Sequence, residues 1–128
     1  MDEWIPFKEG DYIVEQAFLL APDESAVLLE DAVIRVFEDR RGHRQMHGSC
    51  RAINALLIKL LDDHNEIDLV LDLGAEFKYL LKDPILRGGK VFSPDVKSTL
   101  QFLPKEPWEQ IQKDKFEALY SRLNFLSI

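Results

Sequence analysis

Between Ser49 and His64 the apolar residues Ile53, Leu56, Leu57, Leu60 and Leu61 recur at the i, i+3, i+4, i+7, i+8 spacing that gathers side chains onto one helical face. Arg51, Lys59, Asp62 and Asp63 fall largely off that face, and Ser49 stands where a cap would start it. A helix with one apolar stripe must bury it against other elements. The rest of the chain offers such partners, because Pro22, Gly42, Pro84, Pro104 and Pro107 cut it into helix-length pieces.

Residues 11–21 place Ile13, Val14, Ala17, Phe18 and Ala21 on one face behind Asp11 as a cap. Residues 23–41 start at Asp23 and end at Gly42, with Arg40 and Arg41 in a last turn whose dipole favours cations. Their apolar set is broad and their polar stripe narrow, the mark of a central helix. Asn65 can cap a further helix running to about Asp83. Ser93-Pro94-Asp95 reads as a short helix start, and Pro107 opens the last helix, with Trp108, Ile111, Leu119 and Leu123 on one side. Arg87-Gly88-Gly89-Lys90 reads as a loop. These pieces predict an all-α fold, a compact bundle of about five or six helices in a single domain over 1–128. The competing reading is α+β, with short strands near 12–20 and 67–73, where β-formers and alternation also fit.

A chain of 128 residues buries enough surface to fold without metal or disulfide. The single cysteine, Cys50, forms no internal disulfide, which excludes a disulfide-held secreted scaffold. No apolar run approaches a membrane span, and the start Met1-Asp2-Glu3-Trp4 lacks the basic opening of a secretory signal. A cytoplasmic protein is expected. The net charge of −7 disfavours nucleic acid, whose affinity comes from neutralising phosphates, and suits a basic partner.

Residues 40–51 break the pattern. They hold Arg40, Arg41, Arg44 and Arg51, His43 and His47, and no acidic residue, which leaves a charge of −11 for the remainder. With Gly48 opening a helix N-terminus, the four arginines form a candidate anion-binding set, since guanidinium forks match phosphate and carboxylate oxygens. The competing reading pairs them with the protein's own carboxylates. Arg40 or Arg41, a short spacer and His47 also resemble the motif of helical HEPN-type ribonucleases, with Gly42 where that family carries a polar residue. The resemblance covers eight residues. It implies an all-helical fold in which His47 transfers a proton and Arg41 stabilises a phosphate.

His43, His47 and Cys50, with His64, are zinc-type donors, but their spacing matches no zinc signature and no metal is expected. A helix start beside His47, Arg44 and Arg51 would favour the Cys50 thiolate, whereas the competing reading makes Cys50 a small buried apolar residue. Asp62, Asp63, Glu66 and Asp68 cluster around His64 and form a candidate surface for a basic partner, followed by Glu30 and Asp31, with Glu38 and Asp39 nearby. The apolar ends, Trp4, Ile5 and Phe7, then Phe125, Leu126 and Ile128, dock on the core or offer a patch to another chain.

The leading expectation is a non-catalytic protein-binding module, of adaptor, inhibitor or immunity type, that engages a basic partner and needs no cofactor. The alternatives are a phosphate- or RNA-acting enzyme or nucleotide-binding protein using 40–51, and a structural subunit of a larger assembly or homodimer held through the termini.

Overall fold

The segment read as a central helix, 25–38, is a single long strand, and it organises everything else. The computed structural model describes residues 5–88 and 97–127. Its elements are β1 (Gly10–Ile13), β2 (Gln16–Leu20), β3 (Ser25–Glu38), β4 (Arg44–Ile53), α1 (Asn54–Asp63), β5 (Asp68–Asp72), β6 (Lys78–Leu81), β7 (Ile85–Gly88), β8 (Lys97–Leu103), β9 (Glu109–Gln110), α2 (Lys113–Arg122) and β10 (Asn124–Phe125). The ten strands join in one curled, mainly antiparallel half-barrel, ordered β7-β8-β4-β3-β2-β5-β6-β9, with β1 and β10 added to β3. The all-α bundle is therefore overturned. Strands stand within 12–20 and 67–73, but as members of this large sheet rather than as additions to a helical fold.

The reason lies in how β3 alternates. Val27 and Leu29 point into the core from its first half, and Ala32, Ile34 and Val36 from its second. The switch from odd to even positions comes from a bulge: on β4, Arg51 and Ser49 are two residues apart, while their partners Glu30 and Val33 are three apart. Two period-2 runs joined by one extra residue place Leu29, Ala32, Val33 and Val36 at helix-like spacing. The β-branched Val27, Val33, Ile34 and Val36 nevertheless suit the pleated backbone better than a helix.

The bulge also splits the half-barrel into two sheet regions that share β3. Residues 26–29 pair with β2, which continues to β5, β6 and β9, and residues 25 and 26 pair with β10. Residues 33–38 pair with β1 and β4, and β4 continues to β8 and β7. The concave side holds the main core, including Leu19, Ile34, Met46, Leu60, Leu69 and Phe102, with α1 laid across it through Leu56, Leu57 and Leu60. The convex side of the first region is covered by α2, whose Phe116 packs on Phe18, Ala26 and Val70 beside Phe125 of β10. The convex side of the second region carries no such cover among the described residues.

Helical spacing held where the chain is helical. Leu56, Leu57 and Leu60 face the core, but the helix starts after Ile53 with no side-chain cap, and Ser49 lies inside β4. The last helix begins at Lys113 rather than near Pro107. The piece expected to be a short helix before Pro104 contains β8, while Gly89, Lys90, Ser93, Pro94 and Asp95 lie outside the described residues, as do Trp4 and Ile128. Ile5 is buried, and Phe7 and Leu126 pack against the same core. Among the described residues no helix is long and apolar enough to cross a membrane.

Candidate functional site

Where the bulge turns β3 from one sheet region to the other, the neighbouring strands part. β2 ends its pairing at Ala17 opposite Leu29, and β1 resumes at Ile13 opposite Val33. The crossing is held by one backbone bond, from the Val14 N–H to the Ala32 carbonyl, at 3.0 Å. Asp31 takes φ 53°, a left-handed conformation that aspartate tolerates better than most side chains. The break opens a cleft of about 540 Å³ lined by Glu15, Gln16, Leu28, Glu30, Asp31 and Asp72. Four carboxylates thus ring Leu28, which is 47% exposed, with the buried Leu29 also in the lining.

Two of the four carboxylates are compensated. Glu30 receives the Lys97 ammonium at 2.6 Å. Asp72 accepts Lys78 Nζ at 3.1 Å and the Gly74 N–H at 2.9 Å. Lys78 is itself buried and lies 5.2 Å from the centre of the Phe116 ring, so this pair anchors the β5–β6 hairpin under α2. Glu15 and Asp31 have no side-chain partner among the described residues. The cleft therefore keeps a net negative character where a basic side chain can enter over an apolar floor. Among the described residues no group of three His, Cys, Asp or Glu side chains is placed to hold a metal ion.

The sequence-derived carboxylate set divides in space. Glu30 and Asp31 line the cleft. Asp62, Asp63 and Glu66 are exposed at and just beyond the end of α1. Asp68 opens β5 and accepts the Asp83 N–H at 3.0 Å, which places it four residues, about 13 Å along the strand, from Asp72. Asp39 closes the β3–β4 hairpin by accepting the N–H groups of Arg41 and His43, both at 2.9 Å; the His43 N–H is the largest reason its carboxyl is held below the usual value. Glu15 and Asp72 were missed. Both stand at strand ends beside the bulge, and the registers of β2 with β3 and with β5 are what group them, which the sequence pattern of β3 alone does not give.

Segment 40–51 is a hairpin, not a helix junction, and this dismantles the constellations read there. Arg40 and Arg41 are exposed at the turn. Arg44 donates from Nη1 to the carbonyls of Ile5 and Phe7, at 2.9 and 2.8 Å, and straps the N-terminal segment to the sheet. Arg51 is exposed on the convex face, opposite Thr99. The helix that the HEPN resemblance implies around Arg41 and His47 is absent, because His47 lies within β4 on the convex face, opposite Arg35. Alternation sends Cys50 to the concave side. There burial pushes its thiol up to about 12, and Sγ sits 3.6 Å from the Leu100 carbonyl, the reverse of an activated thiolate.

His64, read with the acidic cluster, makes a defined contact instead. Its Nδ1 lies 3.0 Å from the Leu60 carbonyl and its Nε2 3.2 Å from Asp23 Oδ2, so both ring nitrogens face acceptors and the protonated ring is favoured. Its pKa is raised, chiefly by the Leu60 carbonyl and then by Asp23. The contact ties the end of α1 to the β2–β3 turn. No protein-family model, curated protein or solved structure matches the chain.

Proposed function

We propose that this protein is a non-catalytic binding module, of adaptor, inhibitor or immunity type, whose cleft at the β3 bulge engages a basic protein partner. The observation that carries the reading is the ring of Glu15, Glu30, Asp31 and Asp72 around the exposed Leu28, with Glu15 and Asp31 left without internal partners among the described residues. A lysine or arginine entering there meets charge at its head and apolar surface along its stem. The net charge of −7 steers a basic partner toward the protein from a distance and makes association fall with ionic strength. A cytoplasmic setting goes with this reading, supported by a lone, buried cysteine.

The test is cross-linking of the tagged protein in its native extract at low and raised salt, with mass-spectrometric identification of the partner and the linked residues. The expected result is a basic protein linked beside the cleft, released by salt, and lost in the Glu15→Gln/Asp31→Asn double variant. Capture that ignores salt, or that the double variant retains in full, would refute the proposal.

A further inference from the structure

The uncovered convex face of β1, β3, β4, β8 and β7 holds a second cavity, about 430 Å³ in volume, lined by Val33, Arg35, His47, Ser49, Gln101 and Leu103, with Asp11 at its edge. We infer that this pit is a binding site for a small organic anion, a carboxylate or phosphate attached to an apolar group. The inference is independent of the basic-partner reading, since it concerns a separate cavity that shares no lining residue with the cleft, and a ligand of opposite charge.

Strand register builds the pit. Arg35 stands opposite His47, and in the next row Val33 stands opposite Ser49 and Ser49 opposite Gln101. Cross-strand neighbours on one face lie about 5 Å apart, so guanidinium, imidazole, hydroxyl and amide groups border one small opening. Asp11 Oδ1 accepts the Arg35 Nε–H at 3.0 Å. That contact orients the guanidinium and leaves its two terminal nitrogens without a partner among the described residues. Phe37 meets the His47 ring edge-on, with centroids 5.2 Å apart at 79°, which fixes the side chain beside the pit. The side chains of His47, Ser49 and Gln101 likewise have no hydrogen-bond partner among the described residues.

Charge selects the ligand's sign. On this face Arg35, Arg51, Arg87 and Lys97 outnumber Asp11, Glu30 and Asp31; Asp11 and Glu30 are already paired, with Arg35 and Lys97, and Asp31 lies in the bulge cleft outside the pit. The face is thus locally positive on a molecule of net charge −7, and an anion is drawn here rather than elsewhere. Arg35 supplies a fork for paired oxygens, and Ser49 and Gln101 supply neutral donors. Val33, which is 43% exposed, and Leu103 supply the apolar wall that a bare inorganic ion would leave unused. None of the arginines at 40, 41, 44 and 51 lines the pit.

Titration of the isotope-labelled protein with phenyl phosphate, benzoate and inorganic phosphate, followed by amide NMR, tests the site. The expected result is saturable shifts centred on residues 33–35, 47–49 and 101–103 with at least one aromatic anion, and weaker binding of inorganic phosphate. The better of phenyl phosphate and benzoate identifies the head group. Arg35→Gln is expected to weaken binding by about tenfold or more, the usual worth of a charge-assisted hydrogen bond. Arg51→Gln, on the same face but outside the pit, is expected to change it by less than about threefold, as a screened surface charge does. Absence of saturable shifts, indifference to Arg35→Gln, or equal losses in the two variants would overturn the inference.

Discussion

Among the described glycines, Gly48 leaves the least room for a side chain. It lies in β4 opposite Phe102 of β8, both facing the core, and the Phe102 ring lies against the glycine backbone. A Cβ built at Gly48 would stand 2.0 Å from Cε2, 2.2 Å from Cζ and 2.5 Å from Cδ2 of that ring. Ordinary carbon–carbon contact is about 3.5–4 Å, so Gly48→Ala requires the ring to retreat by roughly 1.5 Å or the two strands to separate. The ring has nowhere to go, because Phe102 is 0% exposed and sits in the main core with Ile34 and Met46. Overpacking of this kind costs about 3 kcal/mol, the upper end of the usual range. For a chain of this length that corresponds to a fall in Tm of roughly 10 °C. Urea unfolding followed by circular dichroism measures it. The cause is isolated by a second substitution: Phe102→Leu alone leaves a cavity and destabilises, but it makes room for the new methyl. The Gly48→Ala/Phe102→Leu pair is then expected to be more stable than the sum of its parts by about 2 kcal/mol. A Gly48→Ala protein within about 0.5 kcal/mol of the parent, or strict additivity in the pair, would refute the packing argument.

The His64–Asp23 contact gives stability a pH dependence with a definite sign. The imidazole pKa is raised, so its contribution is complete below the ordinary histidine value and is lost as pH rises through the raised one; the Asp23 carboxyl is lowered, by the Ser25 N–H first, so its contribution is lost as pH falls through the lowered value. The link is therefore fullest between roughly pH 4 and 6.5. The difference in urea midpoint between the parent and Asp23→Asn, which keeps an acceptor for the Ser25 N–H, is expected to shrink from pH 6 to pH 8. A constant difference would remove this account. Cys50, 2% exposed and with its thiol pushed up to about 12, is expected to resist a disulfide reagent at pH 8 until denaturant is added. Rapid stoichiometric labelling of the folded protein would contradict its burial.

The parts of the sequence that could be read are those with one undisturbed period and one buried face. Leu56, Leu57 and Leu60 announce α1 because a helix lying over a sheet has a single apolar stripe. In β4 the core side is carried by Met46, Gly48, Cys50 and Ala52, small or weakly hydrophobic residues alternating with His47, Ser49 and Arg51. That alternation is broken only at Gly48, which reads as punctuation in the sequence, whereas its role is to let Phe102 approach the backbone. In β2 and β5 the runs Ala17-Phe18-Leu19 and Leu69-Val70-Leu71 are apolar throughout, because one face meets the core and the other meets α2. Such double burial erases the alternation that distinguishes a strand from a helix. Of the cleft, Glu30 and Asp31 were legible as charges. Their meeting with Glu15 and Asp72 was not, because it depends on the register of three strands around a bulge.

The carboxylates divide into those that hold the fold and those that do not, and the bulge cleft contains both kinds. Asp23, Asp39, Asp68 and Asp72 each accept backbone N–H groups, and Glu24, Glu30 and Asp83 pair with cations. The side chain of Asp31 does neither among the described residues, although it occupies a backbone conformation that glycine or asparagine adopts at lower cost. A residue chosen for the turn alone would be one of those two. Asp31→Gly is therefore expected to leave stability unchanged or raise it by up to about 1 kcal/mol, the strain of a left-handed non-glycine residue, while weakening capture of a basic partner. The opposite pattern, a clear loss of stability with unchanged capture, would make Asp31 a structural element of the bulge and transfer the burden of recognition to Glu15. Improved stability bought with weaker binding is the signature of a side chain kept for contact rather than for folding.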